Sequence, residues 1–497
     1  MEGLSLYNLM LGLETAFSPM NLLFCFVGVT LGTFIGVLPG IGALAAVAML
    51  LPVSFHLEPA TALVMLAGVY YGAEYGGSIA SIILNIPGTP SASVTCLDGY
   101  PMAQQGRAGV ALFMTAIASF CGGIMGVIVM VFLSPVLATV ALSFGPAEYF
   151  SVMVLGLIAA SIVSQGGALK GILMVSVGVM LSTVGVDINT GVERFTGGLI
   201  ELRDGVSLVI IAMGLFGVSE VVSSIHTNLG KRVEHKIDFA SFLPTRSEWF
   251  RSIGPVLRSG SIGSFFGALP GTGQTVASFV GYAIEKRVSK NGDQFGKGAI
   301  EGIMSPESAN NAAAQTAFIP TLTLGIPGSA TMALMLGALM IHGIIPGPRL
   351  MTEHADLFWG LIGSFLVGNV LLLILNIPLI GIWVRVLKVP YHLMYPTVVV
   401  LLCVGVYSIN NSVFDIWVML VIGVMGYVMR LFKFEPAPLL IGFVLGSMIE
   451  EFMRRALLLS RGDFMVFLER PISAGFLIAA IAILGWGIVS GFRARSD

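Results

Sequence analysis

Charged residues are scarce in this sequence. Asp, Glu, Lys and Arg make up 10% of its 497 residues, whereas an ordinary soluble domain carries roughly 25%. The formal net charge is −2, so no basic excess is available to neutralise nucleic-acid phosphates. The composition therefore excludes an ordinary soluble protein and a nucleic-acid-binding one.

Signatures of catalysis and redox chemistry are missing as well. The four cysteines and six histidines are dispersed without metal-ligand or disulfide spacing, so the cysteines are interpreted as small apolar core residues. The sequence contains no H-E-x-x-H, no G-x-S-x-G and no G-x-x-x-x-G-K-[ST] phosphate loop. We therefore expect no enzyme, no cofactor and no use of ATP.

What the chain has instead is apolar sequence, at 56% of residues. One helical crossing of a bilayer needs about 20 apolar residues, and backbone polar groups in lipid must pair within the protein. The runs are too long and uniform for barrel strands. They predict one transmembrane domain over residues 1–497: an all-α, polytopic membrane protein of about 12 helices plus re-entrant or discontinuous helices.

The predicted apolar segments alternate with informative polar ones. The segments are 20–38, 41–55, 59–86, 108–133, 146–164, 168–185, 205–227, 256–284, 308–326, 329–345, 355–387, 391–408, 413–432, 436–459 and 471–492. Residues 88–107 are interpreted as a polar loop, and 228–258 as a basic loop that belongs in the cytoplasm by the positive-inside rule. No Lys or Arg precedes Arg107, which places the N-terminus outside.

Two glycine- and proline-rich stretches occur twice. GTFIGVLPGIG at 32–42 recurs as GSFFGALPGTG at 263–273, and NIPGTPSA at 85–92 recurs as GIPGSATM at 325–332. Pro39 and Pro270 are 231 positions apart, whereas Pro87 and Pro327 are 240 apart, so the second copy carries nine extra residues, in the charged stretch 285–297. The order predicts a duplicated unit, at about 20–143 and 254–379.

The predicted topology makes the two copies inverted, since the first LPG is approached from outside and the second from inside. Inverted repeats with broken helices are a common build of secondary transporters, which bind substrate near the midplane. Proline removes an amide donor and glycine allows unusual backbone angles. A break then exposes N–H groups that suit an anion and carbonyls that suit a sodium ion. Gly and Pro are also simply frequent in membrane helices, but two pairs in matched order favour a site.

The candidate residues follow from this pattern. Substrate-binding candidates are Gly40, Gly42, Thr89, Ser91, Ser93, Gly271, Thr272, Gly273, Gln274, Asn310, Asn311, Gln315, Ser329 and Thr331. Candidates for a coupling ion, sodium or a proton, are Gly36, Pro39, Gly88, Gly267, Pro270, Gly328 and Glu74. None of these stretches contains Lys or Arg, which predicts recognition by helix ends and hydroxyls.

Alternative explanations stay open for the side chains. Each Ser or Thr hydroxyl can bond back to its own helix, and the three amides of Asn310, Asn311 and Gln315 can join helices instead of binding solute. Glu74 and Glu307 are functional candidates if they lie inside the bilayer, and ordinary surface residues if they do not. Asp187 and His342 are weaker candidates, because both adjoin turns.

Four long stretches also resemble a known family. They are LPGIGALAAVAMLLP at 38–52, EYGGSIASIILNIPGTPSA at 74–92, GALPGTGQTVASF at 267–279 and SPESANNAAAQTAFIPTLTLGIPGSA at 305–330. Together they resemble the large membrane subunit of the tripartite tricarboxylate transporters, the TctA type, over about 21–438. The resemblance implies a multi-pass permease of the bacterial inner membrane that is driven by an ion gradient, with sodium as the expected ion. It also implies a small membrane subunit (TctB-like) and a periplasmic binding protein (TctC-like) that delivers a carboxylate.

The sequence thus predicts a secondary active transporter for a di- or tricarboxylate. An ion or anion channel also uses broken helices and carbonyls, and is the alternative; a membrane-embedded enzyme is less expected. A carrier shows saturable flux coupled to an ion gradient, whereas a channel conducts without saturation.

Overall fold

The computed structural model describes residues 2–38, 41–162, 167–187, 189–224, 242–269, 273–387 and 391–496, and these are almost entirely α-helical. The α-helices are α1 Glu2–Ala16, α2 Pro19–Val37, α3 Gly42–Ser54, α4 Pro59–Leu84, α5 Thr95–Gln104, α6 Ala108–Ala141, α7 Pro146–Ile162, α8 Ala168–Ser182, α9 Leu208–Ala212, α10 Ser219–Ser224, α11 Arg246–Gly267, α12 Gly273–Val288, α13 Ile300–Thr316, α14 Phe318–Leu324, α15 Ala330–Ile341, α16 Leu350–Glu353, α17 Ala355–Asn376, α18 Ile380–Val386, α19 Tyr391–Asn410, α20 Val413–Leu431, α21 Ala437–Leu459, α22 Val466–Glu469 and α23 Pro471–Ser496.

Elements other than α-helices are few and short in the described residues. Two-residue strands at Gly185–Val186 and Glu193–Arg194 pair antiparallel. Turns of 3₁₀-helix occupy Pro90–Ser93, Ile200–Leu202 and Gly292–Gln294, and a π-helix at Met213–Val218 joins α9 to α10. The predicted all-α fold class is confirmed.

Several helices are apolar enough to lie in a bilayer. In the described part of the chain, α2, α6, α17 and α20 are long and apolar enough to cross a membrane, and α3, α7, α8 and α15 are among the shorter apolar helices. Apolar side chains on many helices remain exposed, such as Phe132 on α6 and Trp417 on α20, as expected for surfaces in contact with lipid. The chain is a multi-pass membrane protein.

Both predicted helix breaks occur where the described residues flank the LPG sequences. Helix α2 ends at Val37 and α3 begins at Gly42, while α11 ends at Gly267 and α12 begins at Gly273. Gly42 and Gly273 both adopt a left-handed backbone, with φ of +70° and +65°, which side-chain-bearing residues adopt only at a cost. The remaining candidates at the breaks, Pro39, Gly40, Pro270, Gly271 and Thr272, lie outside the described residues.

The two predicted copies pack their first helices by equivalent residues. A β-carbon at Gly32 or Gly36 of α2 would meet the backbone of α4, and one at Gly263 or Gly267 of α11 would meet the backbone of α13. The backbone contacts are at Val69 and Ala73 in the first pair and at Ala309 and Ala313 in the second. These partners are 240 positions apart, like Pro87 and Pro327. Small residues let the backbones approach where lipid gives no hydrophobic drive.

Matching geometry continues at the second stretch of each copy. Helix α4 ends at Leu84 and α14 at Leu324, and the residues that follow, Asn85 and Gly325, are both left-handed, with φ of +57° and +71°. A β-carbon at Gly88 would press on Gly36, at the end of α2, and one at Gly328 would lie 3.8 Å from the carbonyl oxygen of Leu269. Each proline–glycine loop therefore packs against the helix break of its own copy. The inverted relation between the copies stays a prediction.

Some local expectations were wrong. Residues 88–107 contain α5 and a 3₁₀ turn, and the described part of the 228–258 stretch contains the start of α11, while residues 228–241 of that stretch lie outside the description. Hydropathy missed the start of α11 because its charges are paired: Arg251 binds Glu301 on α13, and Arg258 binds Glu285 on α12, at N···O distances of 2.8 and 2.7 Å.

The structure also shows the surroundings of the two weaker candidates, Asp187 and His342. Asp187 follows the first short strand and pairs with Arg454 of α21 at 2.8 Å. The backbone N–H of Asn189 and the hydroxyl of Thr190 lower the pKa of Asp187 to about 2, with a further contribution from Arg454. Asp187 therefore stays charged and holds this loop to α21. His342 caps the end of α15.

Asp98 links the nine-residue insertion to the first copy. Its carboxylate on α5 accepts hydrogen bonds from the backbone N–H groups of Gly296, Gly298 and Ala299, at 2.8 to 2.9 Å, and from the Tyr282 hydroxyl at 2.9 Å. These donors surround a fully buried carboxylate. The insertion is thus an ordered segment that ties α12 to α5.

Candidate functional site

A cavity of about 700 Å³ lies where the two copies meet. Its lining from the predicted candidates is Gly42, Glu74, Gly88, Thr89, Ser91, Gln274, Ser329 and Thr331. Both proline–glycine loops and the starts of both post-break helices contribute to it. Ser93, Gly273, Asn310, Asn311 and Gln315, together with Gly36, Gly267 and Gly328, lie outside the lining set.

Glu74 lies on the cavity wall, half-way along α4 and 4% exposed. Its carboxylate accepts hydrogen bonds from the hydroxyls of Ser91 at 2.5 Å and Thr89 at 3.0 Å, and from the amide nitrogen of Asn310 at 3.1 Å. These hydroxyls bond to Glu74 and not to the backbone of their own turn. Glu74 is therefore a buried carboxylate and not a surface residue, and its partners come from both predicted copies.

Gln274, which lines the cavity, forms a hydrogen bond with Tyr70. The Gln274 amide nitrogen, in the first turn of α12, donates to the Tyr70 hydroxyl on α4. Tyr70 is fully buried and packs edge-on against Phe318 of the second copy, with ring centroids 6.0 Å apart. This contact joins the post-break helix of one copy to the central helix of the other.

Four helices point their N-termini at the cavity. The first residues of α3, α12, α15 and α21 line it, and none of these four helices has an acidic residue in its first turn. A helix N-terminus carries unpaired N–H groups and a partial positive charge that attract anions. The first turns of these helices hold no acidic side chain to compensate that charge, and Glu435 lies two residues before α21.

Two cations that sequence reasoning missed complete the lining. Arg430 lies in the last turn of α20, and Lys433 follows in a left-handed turn with φ of +58°. Arg430 pairs with Glu220 of α10, while Lys433 makes no ion pair within the described ranges and is exposed. The prediction of a site without Lys or Arg is thus incomplete. The signal was available as charges and prolines in RLFKFEPAP at 430–438, which resembles an ordinary membrane boundary.

The lining contains more carboxylates than cations. Glu74, Glu220 and Glu435 face the cavity together with Arg430 and Lys433. Glu74 is held by neutral donors alone, whereas Glu220 is held by Arg430. A buried carboxylate without a positive partner is costly. The cavity therefore combines anion-binding groups with one uncompensated negative charge.

A second polar cluster lies on α13, away from the cavity. All of α13 is buried, and Glu307, Asn311 and Gln315 recur along it every four residues. Glu307 accepts hydrogen bonds from the Thr95 and Ser119 hydroxyls. The Asn311 amide nitrogen bonds back to the Glu307 carbonyl oxygen at 3.0 Å. The substrate role that the sequence predicted for Asn311 and Gln315 therefore has no geometric support from the cavity lining.

Comparison with known proteins identifies the family of the chain. The model of the tripartite tricarboxylate transporter TctA family matches residues 22–441. An Agrobacterium vitis protein described as an uncharacterized 52.8 kDa protein in the TAR-I ttuC' 3' region is 48% identical over 490 residues, covering 99% of this chain and 97% of that protein. A second Agrobacterium vitis protein, described as uncharacterized in the TAR-II ttuC' 3' region, is 51% identical over 235 residues, covering 47% of this chain and 97% of that protein.

No solved structure matches the chain. The family match spans both predicted copies and every residue of the cavity lining named above. The chain therefore belongs to the tripartite tricarboxylate transporter TctA family.

Proposed function

We propose that this chain is the large permease subunit of a tripartite uptake system in a bacterial inner membrane, and that the cavity holds a di- or tricarboxylate. The observation that carries the proposal is that Arg430, Lys433 and the N-termini of four helices without acidic residues in their first turns all line the same cavity. Each of these features favours an anion. A carboxylate on two or three arms is the anion that can use several of them at once.

The proposed pose divides the substrate between two sides. One carboxylate pairs with Arg430 and Lys433, and another accepts hydrogen bonds from the starts of α12 and α15 and from the side chains of Gln274 and Thr331. Gly40, Gly271 and Thr272 remain candidates for this second side. A cavity of about 700 Å³ falls within the range of roughly 300 to 1,000 Å³ that small-molecule sites occupy.

Accumulation of such an anion requires coupling. Moving one negative charge into an interior-negative cell costs about 2.3 kcal/mol per 100 mV, so a dianion needs co-transported cations. We assign Glu74 as the carboxylate that receives a coupling cation, because its three hydrogen-bond partners are all neutral. The backbone carbonyls of Gly36, Pro39, Gly88, Gly267, Pro270 and Gly328 remain proposed contributors. Sodium is the proposed coupling ion, and the proton is the alternative.

Two partners complete the proposed system. A small membrane subunit of TctB type joins the permease, and a periplasmic binding protein of TctC type delivers the carboxylate. These partners come from the family's tripartite organisation.

Reconstitution tests the proposal. Proteoliposomes that contain the chain with its TctB-type subunit, supplied with a loaded TctC-type protein, are expected to take up a radiolabelled di- or tricarboxylate with saturation when a sodium gradient points inward. Omission of the binding protein should remove uptake. Flux that ignores both sodium and proton gradients would refute coupled transport, and flux that never saturates would indicate a channel.

A further inference from the structure

We propose that Glu307 forms a second cation site, for sodium, between α5, α6 and α13 and separate from the carboxylate cavity. It extends the coupling assigned above to Glu74, and its binding test requires neither transport nor a carboxylate.

Glu307 is a buried carboxylate whose charge no cation in the described residues compensates. It is 0% exposed, and its oxygens accept hydrogen bonds from the Thr95 hydroxyl at 2.5 Å and the Ser119 hydroxyl at 3.1 Å. Both donors are neutral. Hydrogen bonds of this kind orient a carboxylate but leave its charge in a medium of low dielectric constant.

The other buried glutamates show how unusual this is. In the described part of the chain, Glu148 pairs with Arg470, Glu285 with Arg258 and Glu301 with Arg251, at N···O distances of 2.7 to 2.8 Å. Only Glu74 and Glu307 among the buried glutamates there lack such a partner. Glu301 is on the same helix as Glu307, so the difference lies in the local environment and not in the helix.

Unpartnered oxygens lie on the same face of α13. The side-chain oxygens of Asn311 and Gln315 are buried without a hydrogen-bond partner in the described structure, and both residues are 1% exposed. Residues four apart are neighbours on a helix, which places Asn311 next to Glu307 and Gln315 next to Asn311. Asn311 donates its amide nitrogen to the Glu307 carbonyl oxygen, so its unpaired oxygen is free for a ligand.

Helix α6 covers this face at close range. A β-carbon at Gly126 would lie 2.8 Å from the Gln315 β-carbon, and one at Gly122 would meet the backbone of Ser308. Ser119, one turn before Gly122, supplies a hydroxyl to Glu307. The cluster is therefore enclosed by protein, and none of its members lines the carboxylate cavity.

The ligand set selects a monovalent hard cation. One carboxylate with hydroxyl and amide oxygens supplies a single negative charge and several neutral oxygen ligands, which suit an alkali ion better than calcium, whose sites use more charge. A proton on Glu307 would neutralise the carboxylate. It would leave the amide oxygens of Asn311 and Gln315 unpaired, and that is costly in a buried setting. A sodium ion next to Glu307 neutralises the carboxylate and pairs the oxygen of Asn311, one turn away. Gln315 lies two turns, roughly 12 Å, along the helix axis from Glu307 and is not assigned to the same ion.

Thermal unfolding of the purified full-length protein tests the site directly. The Glu74→Gln protein, in which the cavity carboxylate is absent, is heated in sodium chloride and in choline chloride at equal ionic strength and fixed pH. An ion that binds the folded state and not the unfolded state raises the melting temperature. We expect sodium to raise it, and we expect the further change Glu307→Gln to abolish the rise. Ser119→Ala should weaken the apparent sodium affinity roughly tenfold.

Glu301→Gln is the matched control, since it removes a buried glutamate from the same helix. Each variant is compared with its own sodium-free melting temperature, so a general loss of stability does not count. If Glu307→Gln fails to fold, Ser119→Ala carries the test. No sodium response in Glu74→Gln protein, an equal response with and without Glu307, or a response to pH that replaces the sodium response would overturn the proposal. Failure of carboxylate uptake alone would refute the proposed function and leave this site standing.

Discussion

Replacing Arg430 or Lys433 with glutamine should raise the KM for carboxylate uptake by about tenfold to a hundredfold, and replacing both should abolish uptake at ordinary substrate concentrations. A hydrogen bond to a charged group contributes about 1.5 to 3 kcal/mol, and every 1.4 kcal/mol is a factor of about ten in affinity. The measurement is the initial rate of radiolabelled carboxylate uptake into proteoliposomes as a function of substrate concentration.

Glu220 separates binding from structure in this experiment. Arg430→Gln leaves Glu220 without its partner, so a structural loss is repaired when Glu220→Gln is added, whereas a lost substrate contact is not. We therefore expect the double variant to fold as well as wild type and to keep the high KM. Arg349→Gln, at an exposed arginine with 78% of its side chain accessible, serves as the charge control. An unchanged KM in Arg430→Gln and Lys433→Gln would show that neither side chain contacts the substrate.

Glu74→Gln should stop accumulation while leaving exchange. At 100 mV, inward movement of a dianion costs about 4.6 kcal/mol, which corresponds to roughly three orders of magnitude in concentration ratio. A variant that no longer receives the cation at Glu74 loses this drive. The groups that hold the anion stay in place, so exchange of internal for external carboxylate should continue within a few-fold of wild type.

The readouts for Glu74 are net uptake under an imposed cation gradient and counterflow without a gradient. Glu58→Gln is the control, because Glu58 is exposed just before the same helix. Concentrative uptake at the wild-type level in Glu74→Gln would show that Glu74 takes no part in coupling. Loss of exchange together with loss of accumulation would instead place Glu74 in substrate binding or folding.

The helix breaks were accessible from the sequence because their cause is local. A proline between glycines disfavours a continuous helix, and the same LPG pattern appears twice, so both breaks could be predicted. The predicted segments 20–38 and 41–55 agree with α2 and α3 within one residue, whereas the predicted segment 256–284 ran through the second break and began ten residues after the start of α11. Gly42 and Gly273 adopt matching left-handed angles for the same local reason. Hydropathy likewise predicted most of the apolar helices.

The parts of the site that depend on distant contacts were out of reach. The sequence shows that Glu74 is isolated among apolar residues, but not that Asn310 binds it from 236 positions away. It gives no sign that Thr95 reaches Glu307 across 212 positions. Arg430 and Lys433 look like membrane-boundary residues until the fold brings the end of α20 to the cavity. Tertiary packing, and not local propensity, assigns these roles.

Cysteine protection tests most directly whether one carboxylate binds between the two copies. Leu44 and Thr275 line the cavity at positions 231 apart, one in each copy. In a background without the four native cysteines, Leu44→Cys and Thr275→Cys should react with a small thiol reagent, and a saturating di- or tricarboxylate should slow both reactions. A cysteine at the exposed residue Asp293 should react at the same rate with and without substrate. Protection at neither cavity position, while the substrate is still transported, would contradict the account.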